Sequence, residues 1–273
     1  MAYSDIREPV VAGTFYPASP GELREQLASF VDSSAERLPA LGCVLPHAGY
    51  AYSGAVAGKT LSRVEIRDRV ILFGPNHTGL GADLSVVTEG AWRTPLGETA
   101  IDSELASAFT QASRYLEPDT EAHAGEHSLE VELPFLQYLH PMLRIVPIAF
   151  KSADLGVLKA AGNDIASVIR EKSLRDHVLL LASSDMTHYE TEHEARRKDT
   201  AAIQAIRKLD EDKLFDTVGR LDVSMCGYLP VAAMIACAKA LGARSAQLVD
   251  YRTSGDVTGD RSSVVGYAGI IVE

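Results

Sequence analysis

The chain has 273 residues with ordinary apolar and charged fractions, which is enough for one sizeable hydrophobic core. Its formal net charge of −11 argues against a nucleic-acid-binding protein, because such proteins gather Lys and Arg to neutralise phosphates. The basic cluster from Arg196 to Lys198 is flanked by acidic residues, and we predict that it is a solvated helix face.

The cysteine count and the apolar runs bear on the compartment. Three cysteines, Cys43, Cys226 and Cys237, do not suit a disulfide framework and favour a reducing environment. Residues 1–9 contain no apolar segment of a secretory signal, and no apolar run is long enough to cross a bilayer. We therefore expect a cytoplasmic protein with no membrane partner.

Short apolar runs alternate with amphipathic stretches along the whole chain. The first amphipathic stretch begins at residues 19–22, SPGE, a capping-box pattern with proline at the first helical position. Further helices are predicted at 54–63, 103–112, 128–139, 152–170, 191–208, 210–220 and 228–241. Strands are predicted at 41–45, 70–73, 84–88, 143–149, 178–182, 246–251 and 264–272.

Several of these strands are continuously apolar, as expected for strands that are buried on both faces. Their alternation with helices predicts an α/β fold with a central sheet and helices on both faces. Residues 84–97 resemble a hairpin, so we expect a mixed, largely parallel sheet. The chain has no recognisable linker or repeat, and a single domain over residues 1–273 is the simplest prediction.

Two histidines follow apolar strands at equivalent points. His47 lies in PHAGY at 46–50, and His77 lies in GPNHTG at 74–79. In open α/β sheets, ligands bind beyond the carboxyl ends of the strands. Either histidine alone fits a hydrogen-bonded structural residue or a capped turn. Two strand ends that each deliver a histidine favour a shared site.

A third strand end carries Asp185 and His188, within SSDMTHY at 183–189. Asp185 either orients the imidazole of His188 or faces a metal together with it. A helix-capping aspartate beside a surface histidine is the alternative.

The fourth candidate is Cys226, which lies just before a predicted helix. A helix N-terminus lowers the pKa of a nearby thiol, and the thiolate is the form that binds metal or attacks an electrophile. The alternative is a buried small hydrophobe. That alternative is our prediction for Cys43 and Cys237.

A further cluster spans residues 123–130, HAGEHSLE. His123 and His127 have the spacing of one helix face, but Gly125 separates them. We predict that His127 reaches the edge of the main pocket and that the cluster is not a metal site by itself. The histidines at element ends or on a charged helix are predicted to be structural or exposed, namely His140, His177 and His193.

Seven motifs in this order resemble the Memo family, also called protein B of the AmmeMemoRadiSam system. They are VAGTFYP (11–17), PHAGY (46–50), GPNH (74–77), WRTPLG (92–97), HSLEVE (127–132), SDMTH (184–188) and CG (226–227). The resemblance covers nearly the whole chain. It implies a fold similar to that of the class III extradiol, or LigB-like, dioxygenases.

Those dioxygenases hold non-haem Fe(II) with two histidines and one carboxylate, and a further histidine acts as acid and base. By the resemblance, His47 and His77 match the metal-ligating histidines. His188 matches the acid/base position, with Asp185 beside it, and His127 is a further catalytic candidate. Cys226 stands where the dioxygenases have their carboxylate, and it is a predicted metal ligand.

The exchange of a carboxylate for a thiol leaves the chemistry open, because a thiolate favours Cu(I), Zn(II) or thiolate-ligated iron. The leading hypothesis is an Fe(II)-dependent, dioxygenase-like oxidoreductase acting on a small aromatic or enediol-like molecule. One alternative is a non-catalytic module that binds a metal or a (phospho)peptide. Another is a zinc-type hydrolase with a metal-bound water as nucleophile. The system name implies an AMMECR-type protein and a radical SAM enzyme as partners.

Overall fold

The computed structural model describes residues 5–273. The expectation that residues 1–9 carry no leader therefore lies partly outside the described residues.

Strands and helices alternate through the described residues. In chain order, strands β1 to β12 cover Ile6–Arg7, Gly42–Leu45, Arg69–Pro75, Leu84–Val86, Ala91–Thr94, Gly97–Ala100, Glu117–Pro118, Arg144–Phe150, Val178–Ser183, His188–Glu190, Ala246–Thr253 and Val264–Val272. Helices α1 to α10 cover Pro20–Phe30, Tyr50–Leu61, Ser103–Ala112, Glu121–Ala124, Leu133–Leu139, Leu155–Glu171, Glu192–Arg207, Glu211–Leu221, Tyr228–Ala240 and Gly255–Thr258.

The main sheet of the described chain has a parallel centre and antiparallel edges. Strands β2, β9, β3 and β8 are neighbours in that order, and all three pairings are parallel. On one side, β12 runs antiparallel to β2 and also pairs with β10 and β11. On the other side, β4 runs antiparallel to β8 and pairs in parallel with β7. The sheet is mixed, as the sequence predicted.

Helices cover both faces of this sheet. A Cβ added at Gly42 in β2 would meet Met234 of α9, and one added at Gly269 in β12 would meet Thr60 of α2. The register between β2 and β12 places these two glycines on opposite faces, because side chains alternate along a strand. The apolar run VLLLAS of β9 is therefore buried along its whole length, which matches the prediction of doubly covered strands.

Four expectations about local structure were wrong. The hairpin joins β5 to β6, whereas β4 pairs with β8, so the predicted hairpin over 84–97 does not exist. The hydroxyl of Ser19 makes no capping hydrogen bond, although Pro20 does begin α1. The helix predicted from residue 128 begins at Leu133. Before it, the backbone N–H of Ser128 donates to the carboxylate of Glu126, and the carbonyl of Ser128 accepts from Ser183, so neither group takes part in a helix. Lys198 is not solvated but nearly buried, since it donates to Glu190 and to the carbonyl of Asp222.

The segment that precedes α1 is held against the core by one buried carboxylate. Glu130 accepts hydrogen bonds from the guanidinium of Arg7 (2.7 Å), the backbone N–H groups of Val10 (2.8 Å) and Val11 (3.0 Å), and the hydroxyl of Tyr16 (2.7 Å). Arg7 also stacks on the indole of Trp92, with its Cζ 4.4 Å from the ring centroid. This anchoring fixes the chain that passes beside the candidate site.

Over residues 5–273, the helices are too short or too polar for any of them to cross a membrane.

Candidate metal centre

The carboxyl ends of three neighbouring parallel strands converge on one point. His47 comes two residues after β2 ends, His77 comes two residues after β3 ends, and residues 184–188 follow β9, which lies between those strands. The topology therefore explains why histidines 30 positions apart in sequence share one site.

The donor atoms of His47, His77 and Cys226 all lie within 4.8 Å of one another. Nε2 of His47 is 3.4 Å from Sγ of Cys226, and the centroids of the two imidazole rings are 5.4 Å apart. A nitrogen and a sulfur bound to one tetrahedral zinc-sized ion lie about 3.6 Å apart, given ordinary metal–ligand bond lengths. Two nitrogens and one sulfur at this spacing fit a single metal ion with at least one position left open.

His47 is buried and neutral. Burial, together with the neighbouring His77, holds the pKa of His47 well below its ordinary value. Its Nδ1 lies 2.7 Å from Oγ of Ser183, so Nε2 is the atom that faces Cys226. A neutral imidazole with a free nitrogen is the form that binds a metal.

His77 is oriented by Glu126. One carboxylate oxygen of Glu126 lies 2.9 Å from Nδ1 of His77 and also accepts the backbone N–H groups of His127 and Ser128. Burial would lower the pKa of His77, but the hydrogen bond and the charge of Glu126 outweigh it, and the pKa is raised. Burial would raise the pKa of Glu126, but the hydrogen bonds and charge of His77 and the backbone N–H of Ser128 outweigh burial and lower this pKa to about 2. An ionised Glu126 only accepts, so Nδ1 of His77 carries the proton and Nε2 is free.

The prediction that a helix N-terminus lowers the pKa of Cys226 was wrong. Burial and the charge of Asp185 raise the pKa of Cys226 well above its ordinary value, although the residue lies just before α9. Desolvation thus outweighs the helix dipole, and the metal-free thiol is protonated at neutral pH. A coordinated cation reverses this balance, since a metal-bound thiol is deprotonated outright.

Asp185 supports the loop of His47. Its Oδ1 accepts the backbone N–H of His47 at 2.9 Å, and burial raises its pKa to about 6. In residues 5–273 it makes no hydrogen bond to His188. Its own backbone N–H donates to Sγ of Cys226 at 3.3 Å, so one residue contacts both the His47 loop and the thiol.

His188 is half-buried and does not belong to the group of three donor residues, but it contacts Ser224, two residues before Cys226. Its Nδ1 donates to the carbonyl of Ser224 at 2.9 Å, because a carbonyl only accepts, and Nε2 is left free. Its backbone N–H also donates to Oγ of Ser224 at 2.7 Å, so His188 is held against the segment that leads to Cys226. Its position suits proton transfer next to a metal rather than ligation.

His127 completes the imidazole cluster. Its ring centroid is 4.8 Å from that of His77 and 5.6 Å from that of His47. On its other side it contacts Phe15, 5.0 Å away, which belongs to the anchored N-terminal segment. His127 therefore lies at the edge of the pocket.

A family model described as Memo-like protein matches residues 7–271. The chain belongs to the Memo family. It is 43% identical to a MEMO1 family protein of Methanopyrus kandleri, over 97% of this chain and 98% of that protein. It is 45% identical to one of Archaeoglobus fulgidus, over 97% and 99%. It also resembles the solved structure of an uncharacterized Escherichia coli K12 protein, with a TM-score of 0.52 and 14% identity, over 83% of this chain and 98% of that one. At that identity the likeness concerns the fold alone.

Sequence reasoning about this Memo-family protein missed the residues that hold the donors. Glu126, Ser183 and Glu132 contact donor side chains or each other, yet none was a candidate. The signal that could have found them was their place next to the motif histidines and strand ends. A second group of possible metal donors in the described chain shares His77 and adds Glu126 and His127. His123, by contrast, turns its Nε2 to Ser85 and belongs to neither group.

A cavity of about 1040 Å³ lies elsewhere in the molecule. Arg7, Trp92, Asp119 and His123 contribute to its walls, whereas His47, His77 and Cys226 do not. This cavity is therefore distinct from the candidate metal centre, which is defined by its donor atoms.

Proposed function

We propose that this Memo-family protein binds Fe(II) through His47, His77 and Cys226 and is an oxidoreductase acting on a small aromatic or enediol-like substrate. The observation that carries the proposal is the convergence of three donor atoms within 4.8 Å, at the carboxyl ends of neighbouring strands. Each histidine turns its Nδ1 to the protein and leaves Nε2 for a ligand.

The protein's own groups suit proton transfer at this site. Bound Fe(II) supplies one-electron redox chemistry and Lewis acidity. His188 keeps its Nδ1 proton on the carbonyl of Ser224 and offers Nε2 to take a proton from a substrate hydroxyl. Asp185 keeps its hydrogen bond to the backbone of His47. The rings of His127 and Phe15 form one wall of the site, against which a planar substrate can pack.

The first experiment is metal analysis by mass spectrometry after anaerobic purification. Wild type, Cys226→Ser and Cys237→Ala are compared. Cys237 is the matched control, because it is a buried thiol in the same helix that Cys226 precedes. We expect iron near one per chain in wild type and in Cys237→Ala, and much less in Cys226→Ser. Equal metal in all three proteins would remove Cys226 from the site, and no metal in any would overturn the proposal.

A zinc-type hydrolase is the second candidate, favoured by the sulfur donor in place of a carboxylate. Two nitrogens and one sulfur with an open position are a known zinc donor set. Stoichiometric zinc with no oxygen uptake would support it. A protein that binds a (phospho)peptide or a metal without turnover would show ligand binding and neither activity. Partnership with an AMMECR-type protein and a radical SAM enzyme stays a prediction, as does the cytoplasmic location.

A further inference from the structure

Oγ of Ser183 contacts three polar atoms in the interior. Nδ1 of His47 is 2.7 Å away, the carbonyl oxygen of Ser128 is 2.9 Å away, and Oε1 of Glu132 is 2.9 Å away. Glu132 and Ser183 have no solvent exposure. Ser183 is the last residue of β9 and Glu132 directly precedes α5, so two rigid elements meet at this contact.

Counting hydrogens assigns a role to each atom. A serine hydroxyl has one hydrogen to donate and two lone pairs to accept with. The carbonyl of Ser128 only accepts, and within residues 5–273 no other group donates to it, so we assign the Ser183 hydrogen to this carbonyl. The other two contacts are hydrogen bonds only if His47 and Glu132 both donate to Ser183. His47 must then carry its proton on Nδ1, and Glu132 must be a protonated carboxylic acid.

We propose that Glu132 is a protonated positioning residue that acts through Ser183 to hold His47 in the Nδ1–H tautomer. In this tautomer the Nε2 lone pair points to Cys226, where the metal ligand is needed. The benefit of this tautomer for metal binding rests on the proposed function. The contacts around Ser183 are present without any bound ion.

Two further features agree with a neutral Glu132. Its second oxygen, Oε2, is buried and has no hydrogen-bond partner within residues 5–273. A bare oxygen of an ionised carboxylate costs far more in an apolar interior than that of a neutral acid. Burial accordingly raises the pKa of Glu132 well above its ordinary value, against a smaller opposing effect of Ser183, and the charge of Asp185 raises it further.

The test compares two variants of the full chain that differ in whether residue 132 can donate a hydrogen bond to Ser183. Glu132→Gln keeps a neutral group that can donate to Ser183, whereas Glu132→Leu has no donor. Nitrogen-15 NMR of histidine-labelled, metal-free protein reports the His47 tautomer directly. Infrared spectroscopy of wild type reports the carbonyl band of a buried protonated carboxylic acid, which Glu132→Gln removes.

We expect Glu132→Gln to retain the Nδ1–H tautomer and to bind Fe(II) nearly as tightly as wild type. Glu132→Leu mixes the tautomers and weakens Fe(II) binding about 10- to 100-fold, as do other losses of groups that orient metal-binding histidines. Glu130→Gln is the matched control: it changes a buried glutamate of the same segment that contacts Arg7, so stability falls without a change of tautomer.

Three results would overturn the inference. They are an absent acid band in wild type, a His47 that carries its proton on Nε2, and a Glu132→Gln protein as impaired as Glu132→Leu. If the tautomer and the acid band are as expected but no metal binds, the proposed function fails and the positioning role stands. If the metal binds to a wild-type protein with an ionised Glu132, the positioning role alone fails.

Discussion

Gly227 is the residue whose replacement by alanine most directly tests the role of Cys226. A Cβ at this position would lie 2.3 Å from the carbonyl oxygen of Ser183 and 2.5 Å from Cβ of Ser184. The first atom belongs to the last residue of β9 and the second to the residue that follows it, and neither is the movable end of a side chain. Ordinary contact begins near 3.4 Å, so the backbone beside Cys226 must retreat by about 1 Å, with an overpacking cost of about 1–3 kcal/mol.

This displacement is large by the standard of a metal site, where ligand distances are held within about 0.2 Å. We expect Gly227→Ala to weaken Fe(II) binding by on the order of 100-fold, the size of effect that a displacement of about 1 Å has on catalytic geometry. The measurement is anaerobic competition against a chromophoric chelator, with circular dichroism to confirm folding.

Gly219→Ala is the control for a glycine-to-alanine change in a helix. Gly219 is exposed on α8, and nothing lies within 4 Å of the added Cβ. We expect unchanged Fe(II) affinity and a small gain in stability, because alanine favours the helix. A folded Gly227→Ala protein that binds Fe(II) as tightly as wild type would refute the placement of Cys226 in the site.

Three more predictions concern Glu130, His77 and Glu126. Glu130→Ala should lower the free energy of unfolding by about 3–5 kcal/mol in urea titrations, because the nearly buried guanidinium of Arg7 loses its carboxylate and the hydroxyl of Tyr16 loses its acceptor. Fe(II) affinity in wild type should fall as the pH drops through the raised pKa of His77, since the proton competes with the metal. Glu126→Gln removes the group that raises this pKa, so metal binding should persist to lower pH.

The Glu130→Ala prediction has a matched control, and the pairing of His77 with Glu126 has an independent test in the metal-free protein. Arg93→Ala breaks only exposed ion pairs and should cost at most about 1 kcal/mol, so a similar cost for Glu130→Ala would contradict the argument from burial. In the metal-free chain, the raised pKa of His77 stabilises the fold below about pH 6.5, and the lowered pKa of Glu126 does so above about pH 4.5. Stability that is flat with pH on both sides of this window would show that the pair is not formed.

The sequence predicted well that His47 and His77 follow the carboxyl ends of buried strands. The apolar runs before His47 and His77 are buried strands, and their closeness in a parallel sheet brings the loops at their carboxyl ends together. All seven predicted strands are present. For the continuously apolar ones, a run of this length has few other ways to be buried. Cys226 was a candidate from its position before a predicted helix, and the family motifs then matched it to a metal ligand.

Features that depend on distant partners were not predictable in the same way. Strand β4 pairs with β8, some 60 residues further along the chain, so local alternation suggested a hairpin that is absent. The pKa of Cys226 depends on burial by segments that sequence spacing does not reveal, and burial outweighs the helix dipole. The contact of Glu132 with Ser183 likewise exists only because α5 and β9 meet.

The three donor residues are far apart along the chain, and this has a consequence for how the protein acquires its metal. Nε2 of His47 and Sγ of Cys226 belong to residues 179 positions apart. A metal ion held by both would act as a reversible cross-link that forms only after Cys226 has been synthesised and its segment has folded against the loop of His47. Since the ion binds the native state alone, a free concentration of 100 times Kd would add about 2.7 kcal/mol to stability. Metal supply would then influence how long the protein survives in the cell, separately from any reaction it catalyses.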